Sequence, residues 1–534
     1  MRLRPLLLSA VLLSACASRS PAVRQGLPAA EPDATASTQP PAPMPDVPPV
    51  SGEYGTAHPF VLQAHAPDGR WLVACQARED TTGDGRVEVA FGRHGDAYGD
   101  VLRPYLFLEP GPGTPIDDLL ASDTTGRYLV LVRDGALQLL DTHTRAEEVL
   151  AANVTADATS ARPPVRAMFS RDGTRLLFLR PEGAKVTAVV RDLKRNVEHV
   201  LDAGGGLLGQ AMLDPSGQWV AFDVVAEDTD GDGTLAWPLE GTTLAPSQCR
   251  GPVMSSSHFG WQGDRPVRRF RPVEGGALYE GLDILQPLGS GLLRMTEDQS
   301  ILFEHRDGRR ETWLPSSCDG ELLYADAARQ QLLVSCATKG ANRSLELYGP
   351  GVHQSLGWSV SLSARPEYSG GAAPRLLTVP ASRGKSAEPT TVLVDLERRA
   401  VRPWPVPSST LEVAQGPVAL LREEYKSTRP EGGWESRLWL WNAQTEEKVL
   451  VGEPVTDASS WTGDMLLYRG WLMDLRSGRV LGTVEGEPLS IDTLGRALRP
   501  RAPTARSEEG LPGGTAPLGP VWWEPAVKAD TPKP

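Results

Sequence analysis

The sequence lacks the signatures of the common catalytic folds. It holds no Gly-x-Ser-x-Gly elbow, no His-Glu-x-x-His zinc helix and no Walker-type phosphate loop, so the chemistry those patterns position has no recognisable seat. Long helical periodicity is nearly absent, and 47 Pro and 54 Gly interrupt the 534 residues every few turns, which excludes a helical bundle. Lys and Arg form no block of five to eight, and the formal charge is -13. A polyanion is repelled at long range by such a chain, so no nucleic-acid partner is expected. Beyond the N-terminus no apolar run reaches 18 residues, and no membrane-crossing helix is expected.

What is present begins with an address. Arg2 and Arg4 precede the apolar run 6–13, which is too short for hydrocarbon roughly 30 Å thick and fits a cleaved export signal over 1–15. The quartet Leu13-Ser14-Ala15-Cys16 resembles the bacterial lipobox. That resemblance implies cleavage before Cys16, acylation of Cys16 and anchoring through its acyl chains, each buried CH₂ being worth about 0.8 kcal/mol. Ala17 stands where many inner-membrane lipoproteins of Gram-negative bacteria carry Asp, so the expected location is the outer membrane. A soluble export signal is the alternative. Loss of Arg2 and Arg4 takes the charge from -13 to -15.

Residues 17–50 contain nine prolines among Ala, Ser and Thr, a composition that cannot bury enough surface to offset its ordering entropy. Residues 16–57 therefore read as a lipid-bearing tether, with a reach of at most roughly 100 Å. The stretch 501–534 is again rich in Pro and Gly and reads as a loosely packed tail, with Trp522-Trp523 as a local latch.

Between them, 58–500 is repetitive. Pro67-Asp68-Gly69-Arg70-Trp71-Leu72-Val73-Ala74-Cys75 recurs 148 residues later as Pro215-Ser216-Gly217-Gln218-Trp219-Val220-Ala221-Phe222-Asp223, and both copies run on into Glu-Asp-Thr-x-Gly-Asp-Gly at 79–85 and 227–233. Shorter relatives lie at 123–130, 170–178 and 492–498. Each sets an Asp/Gly turn before a short apolar run, where Gly supplies the positive backbone dihedral and Val, Leu and Phe favour a packed strand. The glycines at 69, 126, 173 and 217 are 57, 47 and 44 residues apart, the size of a four-stranded propeller blade. A second signature, an apolar strand ending in Asp or Asn, recurs at Asp141, Asp192, Asp395, Asn442 and Asp474, where the side chain can satisfy backbone N–H groups of a hairpin turn.

These segments, most closely Ser170 to Phe178 and Asp214 to Phe222, resemble the repeats of TolB-like and WD40-like β-propellers. The resemblance implies an all-β chain folded as a single β-propeller of four-stranded antiparallel blades. At roughly 55 residues per blade eight blades are expected, with seven as the alternative. Such propellers serve as binding platforms, accessory proteins and domains of peptidases, so function does not travel with the fold.

Asp228, Asp230 and Asp232, with Gly233 after them, have the spacing that wraps a hard cation, and Thr234 can add its carbonyl. Leu239 stands where a bidentate Glu is expected, and an Asp/Gly hairpin turn is the plainer reading. The related loop keeps Asp80 and Asp84 around Thr82, a weaker calcium candidate. Calcium is the one cofactor these residues suggest. With Cys16 assigned to lipid, Cys75, Cys249, Cys318 and Cys336 remain; Cys318 with Cys336 is the expected bridge, against unpaired burial. Gly204-x-Gly206-x-x-Gly209 leads into a strand rather than a helix, which favours an inter-blade linker over a dinucleotide site. Trp71, Trp219, Trp434, Trp439, Trp441 and Trp471 read as packing between sheets, with ligand stacking as the alternative.

Together these features point to a lipid-anchored, non-catalytic interaction module of the bacterial envelope, whose partners are the membrane and envelope proteins. The alternatives are a hydrolase or lyase with its site in a central channel, and a calcium-stabilised structural propeller.

Overall fold

The Asp/Gly segments fold as hairpin turns for a local reason. Gly217 sits at φ +70 and donates its N–H to Asp214 O at 2.8 Å, while Asp214 Oδ1 accepts from Trp219 N at 2.6 Å. The same side-chain-to-strand bond recurs from Tyr128 N to Asp123 (2.8 Å), from Arg175 N to Ser170 Oγ (2.9 Å) and from Arg496 N to Asp492 (2.8 Å). The second signature is equally regular. Oδ1 of Asp141, Asp192, Asp395, Asn442 and Asp474 accepts the backbone N–H two residues on and the one three residues on. The chain then turns through a left-handed residue at Arg145, Asn196, Arg399, Glu446 and Gly478.

The computed structural model describes Tyr54 and most of 60–527. Outside the described residues lie 1–53, 55–59, 92–96, 109–112, 155–166, 236–248, 250–263, 338–342, 361–365, 367–373, 384–389, 428–432, 501–520 and 528–534, with a few gaps of one or two positions. Cys16, the signal segment and nearly all of the tether fall there.

The described strands pair antiparallel into successive sheets: seven of four strands, one of seven strands over 320–402, one of three strands over 490–525, and a separate two-stranded hairpin of Val89–Phe91 with Ala97–Gly99. In the seven-stranded sheet Val352–Val360 meets Leu376–Ser382 through only two residue pairs, Ser359 with Ser382 and Val360 with Ala381. That waist divides it into a four-stranded and a three-stranded part, giving ten sheet units in chain order, numbered first to tenth below. Eight blades, or seven, were expected from a 55-residue spacing; sheets such as 118–151, 284–314 and 459–483 are much shorter than that spacing. The only helix among the described residues is the 3-10 turn Ser316–Cys318, and no described helix is long and apolar enough to cross a membrane.

Each sheet hides its apolar faces against the next. Trp71, Val73 and Leu106 of the first unit pack with Leu119, Leu129 and Leu140 of the second; Leu177, Leu179 and Val190 of the third meet Val220, Phe222 and Val224 of the fourth; and comparable clusters join every later pair. The second strand of a unit is therefore buried on both faces, as in Trp71–Gln76. The outermost strand faces water, as in Ala146–Ala151, whose first four residues are exposed. Trp71, Trp219 and Trp441 are almost wholly buried, each removing about 150–250 Å² from water. Trp434 is 76% exposed.

The ordered sheets extend past both expected boundaries. Val521–Pro525 is the outer described strand of the tenth unit, paired with Arg496–Pro500, and Tyr54 forms a bridge to Val521. Tyr54, Leu498, Val521 and Trp523 pack with Phe60, Leu72, Ala74 and Phe107 of the first unit. The loose tail expected from 501 is thus corrected at this segment, a paired strand on which the alternate residues Val521 and Trp523 complete an apolar face.

The first strands share one more irregularity. A register shift falls between Leu62 and Ala64, Leu119 and Ala121, Leu208 and Gln210, Ile284 and Gln286, Leu322 and Tyr324, and Leu411 and Val413. A bulge at one position in six units bends those strands alike.

Candidate functional site

Because antiparallel strands alternate in direction, the turns joining first to second and third to fourth strands share one rim of the units. A pocket of about 430 Å³ opens on this rim across the third, fourth and fifth units. The third unit supplies Asp172 and Arg175 from its first turn and Asp192, Lys194 and Arg195 from its second; the fourth supplies Gln218 and Glu274, and the fifth Arg306. Arg175 is fixed by Nη1 donating to Gly217 O at 2.7 Å and Nη2 donating to Glu274 Oε1 at 2.6 Å. Arg306 donates to Gln218 Oε1 at 3.0 Å and lies 5.4 Å from the Trp219 ring centre. The hydrogen bond from Arg175 and its charge hold the Glu274 carboxyl below its ordinary value, with Arg306 and Arg195 adding to the effect. The pocket offers planar cations, carboxylates and an amide on stiff turns, which suits polar recognition.

The two acidic loops lie on the opposite rim, joining second to third strands of the first and fourth units. Both carboxylate oxygens of Asp228 are taken by backbone donors, Gly231 N at 2.6 Å and Gly233 N at 2.8 Å. Asp80 matches them with Gly83 N at 2.6 Å and Gly85 N at 2.7 Å. Asp232 Oδ1 accepts from Thr234 N and Oγ1, each at 2.8 Å, so the Thr234 amide and hydroxyl face a carboxylate. Asp230 and Asp84 lie outside the described residues. Among those described, no group of three or more His, Cys, Asp or Glu converges on a metal-sized space.

Disulfides join Cys75 to Cys249 and Cys318 to Cys336. The second closes an 18-residue separation between the fifth-to-sixth connection and the sixth unit; the first ties the fourth unit's long connection to the first unit across 174 residues. Gly204, Gly205 and Gly206, all at positive φ, link the third and fourth units, and Gly209 lies within the strand Leu207–Leu213.

One constellation has no signal in the sequence. His65 Nδ1 lies 2.8 Å from Ala66 O, an acceptor only, so Nδ1 carries the proton and Nε2 accepts from Ser490 Oγ at 2.6 Å. Ser460 Oγ is 3.2 Å from Ser490 Oγ. Burial pushes the imidazole below its ordinary value, against the Ala66 hydrogen bond and the Asp492 charge. The partners stand 425 residues apart, which no spacing rule reaches. The pocket cations were also hidden, because Arg and Lys in turns are ordinary.

No known protein family matches the chain, and no curated protein does. Among solved structures it is similar to a eukaryotic initiation factor, at 10% identity and TM-score 0.34 over 75% of this chain and 88% of that one. It is also similar to an oligogalacturonate lyase from Vibrio parahaemolyticus, at 10% identity and TM-score 0.24 over 79% and 88%. TolB from Acinetobacter baumannii gives 14% identity and TM-score 0.21 over 66% and 62%.

Proposed function

We propose that the chain is a closed, ten-bladed propeller that serves as a binding module, held by lipid on Cys16 at a bacterial outer membrane and presented on the stretch 16–57. Support for closure comes from the junction of the last and first units, which repeats the sequential ones. Gly126 of the second unit lies against Ala66 and Pro67 of the first, and Gly173 of the third against Asp123 of the second. Gly69 of the first lies in the same way against Trp523 and Arg496 of the tenth. Thr493 N also donates to Pro67 O at 2.6 Å.

The observation that carries the binding role is the rim pocket, where turns from three units converge cations and carboxylates on a stiff frame. A photo-crosslinking residue at exposed Ser216 tests it in whole envelopes. A discrete partner is expected there, lost when Lys194→Glu and Arg195→Glu reverse the charge and absent when the crosslinker stands at Val455. Capture that ignores the reversal would refute the reading. Cys16→Ser is expected to release the chain from membranes; a chain still membrane-bound would remove the anchor.

A hydrolase is favoured by one observation, the His65–Ser490 pair. Covalent labelling of Ser490 by a fluorophosphonate would establish it, and full inertness would dismiss it.

A further inference from the structure

The rim pocket already holds a carboxylate that belongs to the protein. Asp172 is committed to its own turn, accepting from Ser170 Oγ at 2.7 Å and Thr174 N at 3.1 Å. Asp192 likewise accepts from Lys194 N at 3.0 Å and Arg195 N at 2.9 Å. Glu274 differs. It projects from a turn beside Gly275 and Gly276, at φ +94 and +133, with its side chain 48% exposed, and among the described residues its one hydrogen-bond partner is Arg175. Around it the positive charge is in excess. Among the described residues neither Lys194 nor Arg306 has a carboxylate within 4.0 Å, and Arg195, 71% exposed, reaches Asp192 only at 3.9 Å.

We propose that the pocket receives a carboxylate carried on a polypeptide segment, and that Glu274 occupies the place of that carboxylate while the site is free. The inference rests on the rim-pocket reading and adds the class of ligand to it. Arg175 Nη2, which now donates to Glu274, and the guanidinium of Arg306 beside it supply charged N–H donors that suit a planar carboxylate. A ligand of higher charge, such as a phosphate dianion, would face Asp172 and Asp192 as well as the cations. Gln218, bonded to Arg306 through its Oε1, keeps an amide beside the cations for a peptide backbone. The 430 Å³ volume falls within the ~300–1,000 Å³ of ordinary ligand sites, and the opening across three units leaves room for chain to enter and leave.

An internal carboxylate that must be displaced lowers the apparent affinity by the fraction of sites it occupies. Removing it should therefore tighten binding, which a merely structural role for Glu274 would not do. The test is fluorescence anisotropy with a dye-labelled peptide of alternating Glu and Gly, its Gln counterpart, and inorganic phosphate as competitor. Wild-type protein is expected to bind the acidic peptide and not the Gln one. Glu274→Gln should tighten that binding about fivefold to tenfold, and Arg195→Glu with Arg306→Glu should abolish it, all with an unchanged near-ultraviolet circular dichroism spectrum. Unchanged or weaker binding by Glu274→Gln overturns the proposal, as does equal binding of the Gln peptide, or displacement by phosphate at the peptide's own concentration. If any of these occurs while Ser216 still captures a charge-dependent partner, the rim reading survives and the carboxylate assignment fails. If that capture is lost as well, both fail.

Discussion

Trp71 Nε1 donates to the carbonyl of Gly126 at 2.7 Å, and Trp219, 148 residues on, donates to Gly289 at 2.9 Å. Two copies of one sequence repeat thus make the same reach, from the second strand of one unit to the first turn of the next. At the third-to-fourth junction Arg175 fills the role toward Gly217 at 2.7 Å, and at the tenth-to-first junction Tyr54 Oη fills it toward Gly69 at 2.5 Å. The turn glycine is a socket for its neighbour as well as a hinge for its own strand.

Losing that bond strands a buried carbonyl. Trp71→Phe is expected to cost about 1–3 kcal/mol, and Trp71→Ala, which adds a cavity, about 3–5 kcal/mol. Tyr54→Phe should resemble Trp71→Phe although it lies outside the sequence repeat. Urea unfolding checks all three; a neutral Tyr54→Phe would show that the tenth unit does not seat on the first.

The two disulfides close loops of very different length. In the chain-entropy model the 174-residue separation of Cys75 and Cys249 is worth about 5 kcal/mol and the 18-residue separation of Cys318 and Cys336 about 3 kcal/mol. Cys249→Ser paired with Cys75→Ser is therefore expected to lower the thermal midpoint more than the Cys318→Ser, Cys336→Ser pair does. The reverse order would place the first bridge in a region that is already ordered when the chain unfolds.

Asp118 gives a pH signature. Burial raises its carboxyl from 3.8 to about 6, a backbone hydrogen bond opposing and Asp117 adding, and its Oδ1 is buried without a partner. The folded state holds this proton more tightly than the unfolded one, so the stability it contributes is present below 3.8 and lost as pH rises to about 6. Asp118→Asn should match wild type near pH 3.5 and exceed it above pH 6 by on the order of 1 kcal/mol, discounted for partial exposure. Equal stability at both pH values would contradict the burial.

The acidic loops hold their shape through glycine N–H groups. Melting curves in chelator and in excess calcium are expected to superimpose, and Asp228→Ala should cost about 1 kcal/mol in both. A melting point that climbs with calcium would instead assign a cation to Asp228 and its neighbours.

The turns and strands were legible because their causes are local: Asp123, Ser170 and Asp214 each bind an amide within five residues. The unequal length of the units was not. Only the first and fourth units carry the full Trp-bearing repeat, and the short fifth and ninth units have neither a Trp opening the second strand nor an Asp-Gly pair at the first turn. Trp523 was legible as an aromatic but not as part of a paired strand, since its pairing partner Leu498 lies across 501–520. The candidate site was least legible of all, because Arg175, Arg195, Glu274 and Arg306 come from three units and are unremarkable apart.

The proposed ring is tested most directly by an experimental density map viewed down the axis of the sheets. Ten units should be counted, with Val521–Pro525 and Tyr54 seated against Phe60 and Leu72. An open arc, or a gap between Trp523 and Gly69, would contradict the closed propeller.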